Sequence, residues 1–272
     1  MRYLALATDY DGTIAIQGRA SAAALHAIAR LRASGRRAIL VTGRRLDELL
    51  TVLPQIELFD YVVAENGAVV YAPGTGEETL LGKPPPAEFI ERLASLGVEP
   101  IEIGRVVVAT WLPHQTAVLQ AVQDTGLELL IAFNKNAVMV LPTGINKATG
   151  LNYALRKLGL SFHEAVGIGN AENDHSFLER CECAVAVADA VPSILRLAAL
   201  VTQNEAGLGV AELVNELIAD DLARMQGKLG QNLISIGMLA DGTPLTIPPY
   251  RRPVGKHLHL FTYFPSNRLL CQ

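Results

Sequence analysis

The chain has 272 residues, half of them hydrophobic, and a formal net charge of −4. That length can bury a real core in one large domain or two unequal ones, and the weakly acidic balance excludes the electrostatic footprint of a nucleic-acid or anionic-membrane binder. Cys181, Cys183 and Cys271 cannot make a disulfide framework; with no apolar run near the ~18 residues of a membrane span and no leader-like start, a cytoplasmic location is expected.

The first strand is expected in "YLALAT", a short apolar run closed by turn chemistry, as buried parallel strands read. It runs into "DYDGT", where Asp9 and Asp11 stand one residue apart. Two carboxylates at ~4 Å repel by about 4 kcal/mol at an effective dielectric of ~20, and a divalent cation is the simplest thing to offset that. "SAAALHAIARLRASG" reads as a helix, with Ser21 placed to cap it, Leu25, Ile28 and Leu31 on one face, and Gly35 to stop it. "RRAILVTGR" is a second strand ending at Thr42 and Gly43, and "RLDELLTVL" a short helix before Pro54. "YVVAENGAVVY" is a third strand that breaks at Asn66-Gly67. Strand and helix alternate, which predicts a Rossmann-like parallel α/β sheet with its site at the carboxyl ends of the strands. Asp9, Asp11, Thr42 and Asn66 all fall at such ends.

From about residue 73 the rhythm changes. "GKPPPAEFIERLASLG" holds a helix, "VEPIEIG" and "RVVVATWL" two strands with Gly104 at the turn, "PHQTAVLQAVQDTG" a second helix, and "LELLIAFN" and "NAVMVLP" two more strands. The order αββαββ predicts an inserted α+β cap with an antiparallel sheet over residues 73–144. The parallel rhythm then resumes with "NKATGLNYALRKLG", "AVGIGN", "AENDHSFLERC", "CAVAVAD", "VPSILRLAALVTQ" and "GVAELVNELIADDLARM". Residues 1–72 and 145–222 are therefore read as one discontinuous core. Residues 223–272, rich in Gly and Pro, read as a β-type or partly disordered tail.

"DYDGT", "VTGR", "NKATGL" and "GIGNAENDHSFL", in that order and separation, resemble the four motifs of the haloacid dehalogenase-like superfamily, and the insert is similar to its type IIB cap, the kind found in Cof-like hydrolases and sucrose-phosphate phosphatase. The resemblance covers about residues 1–222. It implies a magnesium-dependent phosphatase acting on a small phosphorylated metabolite, a sugar phosphate first among them, with neither nucleic acid nor membrane as partner. Asp9 is then the nucleophile that becomes an aspartyl-phosphate, and Asp11 the acid and base that serves the leaving group and the water. Thr42 and the Gly43 amide would hold the phosphoryl group and Lys147 would neutralise its charge, with Arg44, Asn66 and Asn173 as further phosphate or substrate contacts. Asp9, Asp11 (through its main-chain carbonyl), Asn170 and Asp174 would hold Mg²⁺, whose hard oxygen ligands they match.

Relatives usually have Asp where this chain has Asn170, so weaker metal binding is expected, with Glu172 close enough to compensate. Two alternatives stay open: a phosphomutase with the same nucleophile, and a catalytically weak sugar-phosphate-binding regulatory module. In the cap, Trp111, His114, Asn134 and Lys135 are candidate specificity residues. The second Asp-Gly-Thr, at 241–243, lacks the earlier acid and the long strand, and reads as a turn. His257 and His259 alternate on a strand-like run as an exposed face, and "DGTPLTIPPY" is similar to a segment through which some long relatives continue into an ATPase domain.

Overall fold

Runs of Ala, Val, Ile and Leu too short for helices form the centre of the molecule. The computed structural model describes residues 1–134 and 136–224, and the backbone of two further strands at 234–238 and 244–247. Two compact units result, Met1–Leu229 and Gly230–Gln272. In the first, β1 is Ala5–Thr8, followed by a small hairpin of β2 (Ala15–Ile16) and β3 (Arg19–Ala20) that the sequence reading did not anticipate. Then come β4 (Arg37–Val41), β5 (Tyr61–Ala64), β6 (Val69–Ala72) and β7 (Glu77–Leu80). An inserted layer contributes β8 (Glu102–Ile103), β9 (Val108–Trp111), β10 (Leu129–Asn134) and β11 (Ala137–Pro142). The main sheet is completed by β12 (Ala165–Gly169), β13 (Cys183–Ala186) and β14 (Leu200–Val201).

The main sheet has the order β14-β13-β12-β1-β4-β5-β6-β7. β1 lies between β4 and β12 and is parallel to both, with Ala5 opposite Arg37 and Ala165. All residues of β1, β12 and β13 are buried, as expected for parallel strands covered on both faces. The chain leaves β1 toward β4 and returns on its other side at β12. That reversal opens a crevice beyond the strand ends, where ligands of such sheets bind.

Two details depart from the sequence reading. β6 and β7 pair antiparallel, and β7 belongs to the main sheet, so the sheet runs eight residues past the expected boundary at 72. The Asn66-Gly67 turn folds β6 back on β5, which is why the sheet continues antiparallel. Ser21 occupies the N-cap position of α1 (Ala22–Ala33) without a capping side-chain hydrogen bond. Its side chain is packed instead against Gly207 of α8 (Ala206–Asp220), where an added Cβ would come within 2.4 Å of the serine Cβ. Gly35 does end α1, at φ +89.

The inserted layer is built from α3 (Ala87–Ser95), β8, β9, α4 (Gln115–Thr125), β10 and β11, its sheet ordered β10-β11-β9-β8 and antiparallel throughout. Strand alternation splits its residues between two clusters. Val108, Val138 and Val140 pack with Phe89, Leu93 and Val118 of its helices, whereas Met139 and Leu141 join the large core cluster. One face is thus covered by α3 and α4 and the other turns to the main body. The remaining helices are α2 (Leu46–Val52), α5 (Lys147–Lys157), α6 (His175–Leu178) and α7 (Pro192–Leu197).

The second unit holds an antiparallel pair, β15 (Ile234–Met238) and β16 (Pro244–Ile247), with Ile234 opposite Ile247. Lys135, the second Asp-Gly-Thr, His257, His259 and Cys271 lie outside the described residues. Among the described residues no helix is long and apolar enough to cross a membrane.

Candidate active site

Each of the four motifs delivers its polar residues to the crevice because each sits where a buried strand must end or a helix begin. Asp9 follows β1 and is 4 % exposed; its Oδ1 accepts a hydrogen bond from Lys147 Nζ at 2.7 Å. Lys147 is the first residue of α5, a helix capped by the Asn146 side chain, which accepts from Thr149 N at 3.1 Å. The same ammonium donates to Asp174 Oδ1 at 2.6 Å, and Asp174 Oδ2 accepts from the amides of Asn170 and Ala171 at 2.9 Å each. A cation therefore bridges two acids that have almost no access to water. Burial pushes the Asp9 carboxyl up to about 7, helped by Asp174 and opposed by Lys147. Burial works against the charged lysine too, but Asp174 and Asp9 together overcome it and hold the ammonium above its ordinary range.

Thr13, not assigned a role from the sequence, lies between Asp9 and Asn170: its Oγ1 is 3.2 Å from Asp9 Oδ2 and 3.3 Å from Asn170 Oδ1. Gly12, at φ +83, passes so close that an added Cβ would fall 2.1 Å from Asn170 Nδ2. The Asp9 carboxylate, the Thr13 hydroxyl and the Asn170 amide oxygen form a hard oxygen donor set of the kind Mg²⁺ prefers, and a cation there would relieve the buried charge of Asp9. Asp174 Oδ2 already accepts from two amides, and Oδ1, which accepts from Lys147, keeps a lone pair free for a metal or its water. Among the described residues no group of three or more His, Cys, Asp or Glu side chains is arranged as a metal cage. The set fits a magnesium ion that keeps several waters. Glu172 is exposed.

The phosphate-side residues gather on the opposite wall. Thr42 Oγ1 accepts from Arg44 N at 3.1 Å, which leaves the hydroxyl hydrogen available to donate. Asn173 Nδ2 donates to Asn66 Oδ1 at 3.2 Å, and an added Cβ on Gly43 would meet Asn66 Oδ1 at 3.2 Å and Asn173 Nδ2 at 3.5 Å. Asn173 Oδ1 is buried with no partner among the described residues.

Arg44, read from the sequence either as a substrate contact or as the partner of an acid, pairs with acids here: it holds Asp11 in a bidentate pair, Nε to Oδ2 at 2.6 Å and Nη2 to Oδ1 at 2.8 Å, and its Nη1 donates to Glu48. Two parallel donors match a carboxylate's geometry, and Arg44 reaches Asp11 across the crevice because the two strand ends are adjacent. Of the expected specificity residues, Trp111 and His114 are half-buried, the His114 Nε2 lies 3.0 Å from the Glu99 carbonyl, and Asn134 Oδ1 is buried with no partner among the described residues. Sequence reasoning missed Thr13, Glu48 and Glu65. Glu65 carried a signal, an acid at the end of a buried strand like Asp9.

The model of the haloacid dehalogenase-like hydrolase family matches residues 6–100 and 101–214. A phosphoglycolate phosphatase of Pyrobaculum islandicum is 27 % identical over 228 residues, 81 % of this chain and 98 % of that protein. A phosphoglycolate phosphatase of Methanothermobacter thermautotrophicus is 29 % identical over 222 residues, 79 % of this chain and 98 % of that protein. Among solved structures, a haloacid dehalogenase-like hydrolase from Bacteroides thetaiotaomicron aligns with a TM-score of 0.68 at 16 % identity, covering 79 % of this chain and 99 % of that one. A subclass IIB sugar phosphatase of the same superfamily aligns at 0.63 and 19 %, covering 78 % and 98 %. These two share the fold.

Proposed function

The chain belongs to the haloacid dehalogenase-like hydrolase family, and from that premise we propose that it is a magnesium-dependent phosphatase that cleaves a small phosphorylated metabolite through an aspartyl-phosphate on Asp9. The observation that supports the reading is the buried Asp9, fastened by Lys147 at the end of β1, with Thr42 and Gly43 at the end of the neighbouring strand β4 and Asn66 and Asn173 gathered against Gly43.

Phosphate monoesters resist hydrolysis so strongly that accelerations up to about 10²¹-fold are required. In the proposed sequence the Asp9 carboxylate attacks phosphorus, the bond to the leaving oxygen breaks, and Asp11 gives that oxygen a proton. To do so Asp11 frees one oxygen from Arg44, whose fork fixes where the carboxyl group points. Asp11 then takes a proton from the water that attacks the acyl phosphate, and inorganic phosphate leaves with Asp9 restored. Thr42 Oγ1 and the Gly43 amide donate to the phosphoryl oxygens, and Lys147 offsets their charge while keeping Asp9 in line. Asp9 and Asn170, with the Thr13 hydroxyl between them, would hold magnesium, the Asp11 carbonyl and a water on Asp174 completing the donors, and the ion would supply further charge neutralisation at the phosphoryl group.

Two substrate classes are in view. The relatives named as phosphoglycolate phosphatases favour a short phosphorylated acid, and the subclass IIB sugar phosphatase favours a sugar phosphate. The test is phosphate release from an aryl phosphate with magnesium, then from phosphoglycolate and a set of sugar phosphates, each against Asp9→Asn. Equal rates for the two proteins would sink the reading, and isomer interconversion without release would favour the phosphomutase.

A further inference from the structure

Glu65 follows β5 and is fully buried, and among the described residues no side-chain cation is hydrogen-bonded or ion-paired to its carboxylate. Its oxygens accept instead from three consecutive main-chain amides of the inserted layer: Oε1 from Arg105 N at 3.0 Å, Oε2 from Val106 N at 2.9 Å and from Val107 N at 3.0 Å. The Arg105 guanidinium is turned away onto Glu78. Gly104 makes the approach possible, since a Cβ there would stand 2.6–2.7 Å from all three carboxyl atoms of Glu65. Glu65 also holds φ +50, a conformation side chains rarely adopt and keep only where surrounding contacts impose it.

The same short loop is stitched to the phosphate wall. Glu65 N donates to Arg44 O at 2.9 Å and Asn66 N to Thr42 O at 3.0 Å. Asn66 then contacts Met139 Sδ of β11 through Nδ2 at 2.8 Å and accepts from Asn173. From this we infer that Glu65 is a positioning residue, a clamp that sets the inserted layer in one register over the phosphate-side loop. Aspartate is one methylene too short to reach the three amides, and glutamine presents its own N–H toward at least one of them. Loosening the clamp lets Met139 and Asn66 drift with the layer, which weakens substrate capture more than the step at Asp9.

The kinetic arm rests on the phosphatase reading; the exchange arm does not. Amide hydrogen exchange on the full chain is compared for wild type, Glu65→Gln, Glu65→Ala, Gly104→Ala and the Glu65→Ala/Gly104→Ala pair. The clamp requires at least tenfold faster exchange at residues 105–107 in Glu65→Ala and Gly104→Ala, and at one or more of them in Glu65→Gln, with β1 and β12 unchanged. In the pair, alanine at 104 should add nothing to Glu65→Ala, because the carboxylate it strikes is gone. In phosphate release, the fall in kcat/KM should be carried by KM, at least tenfold, with kcat within threefold. Unchanged exchange at 105–107, or faster exchange spread over both sheets, overturns the clamp. Gly104→Ala decides the matter should the Glu65 variants fail to fold. No phosphate release from any form, with local exchange as required, removes the phosphatase reading and leaves the clamp standing.

Discussion

At the ends of β1 and β12 charge is buried and nearly every charged atom has a partner: Lys147 between Asp9 and Asp174, Asp174 on two amides, Asp11 on Arg44. The core-facing side of the inserted sheet is different. It turns Ala109, Ala132, Met139 and Leu141 to the main body, and they pack with its apolar core. The contrast divides the labour. Charges pre-arranged on mostly buried side chains suit a reaction that builds charge, and they cost little reorganisation when it does. A wall of small and flexible apolar side chains suits exclusion of water and selection by shape. Substitutions on the first region should act on the chemical step or on stability, and those on the second on substrate choice.

The largest expected effect is at Asp9. Asp9→Asn keeps the shape and removes the nucleophile, so phosphate release should fall by about 10⁴-fold or more, about 5 kcal/mol of barrier, with an unchanged circular dichroism spectrum. A smaller loss would mean that the buried acid is not where the bond forms.

Next is Lys147→Ala, which leaves two acids buried without their cation. Removing one partner of a buried pair costs about 3–5 kcal/mol, read as a lower denaturant midpoint. The pH arm sharpens the same point. Burial raises the Asp9 pKa to about 7, so the folded state binds that proton more tightly than the unfolded chain. Its contribution to stability is complete below the ordinary carboxylate range and is lost as pH rises toward 7. With metal chelated, the wild-type stability measured against Asp9→Asn should therefore decline between about pH 4 and 7, and magnesium should reduce the decline.

Asn170→Asp should follow in size. Adding a negative charge to the oxygen donor set should tighten magnesium by about tenfold, or about 1.4 kcal/mol, seen as a lower half-saturating magnesium concentration for phosphate release. The smallest effect is expected in the inserted layer. Met139→Leu nearly conserves volume and should cost under about 1.5 kcal/mol, while it removes the Asn66 contact and changes KM a few-fold between substrates. A large fall in kcat from that substitution would break the division between the regions.

The alternation of apolar runs and helical faces was legible in the chain, and so was the set of polar residues at the strand ends, because both follow from short-range periodicity and turn chemistry. Asp9, Thr42, Asn66, Lys147 and Asn170 each sit beside a local signal that ends a strand or starts a helix. What the chain determined by itself was which of these residues stand at strand ends and helix starts. Which partner each takes there was decided by the tertiary structure. Arg44 turns to Asp11 rather than outward, β7 joins the main sheet, Ser21 packs on Gly207 instead of capping its helix, and Glu65 finds amides forty residues away. No periodicity links such positions. A carboxylate takes the donors that packing brings within about 3 Å, and that distance exists only after the strands and the inserted layer have come together.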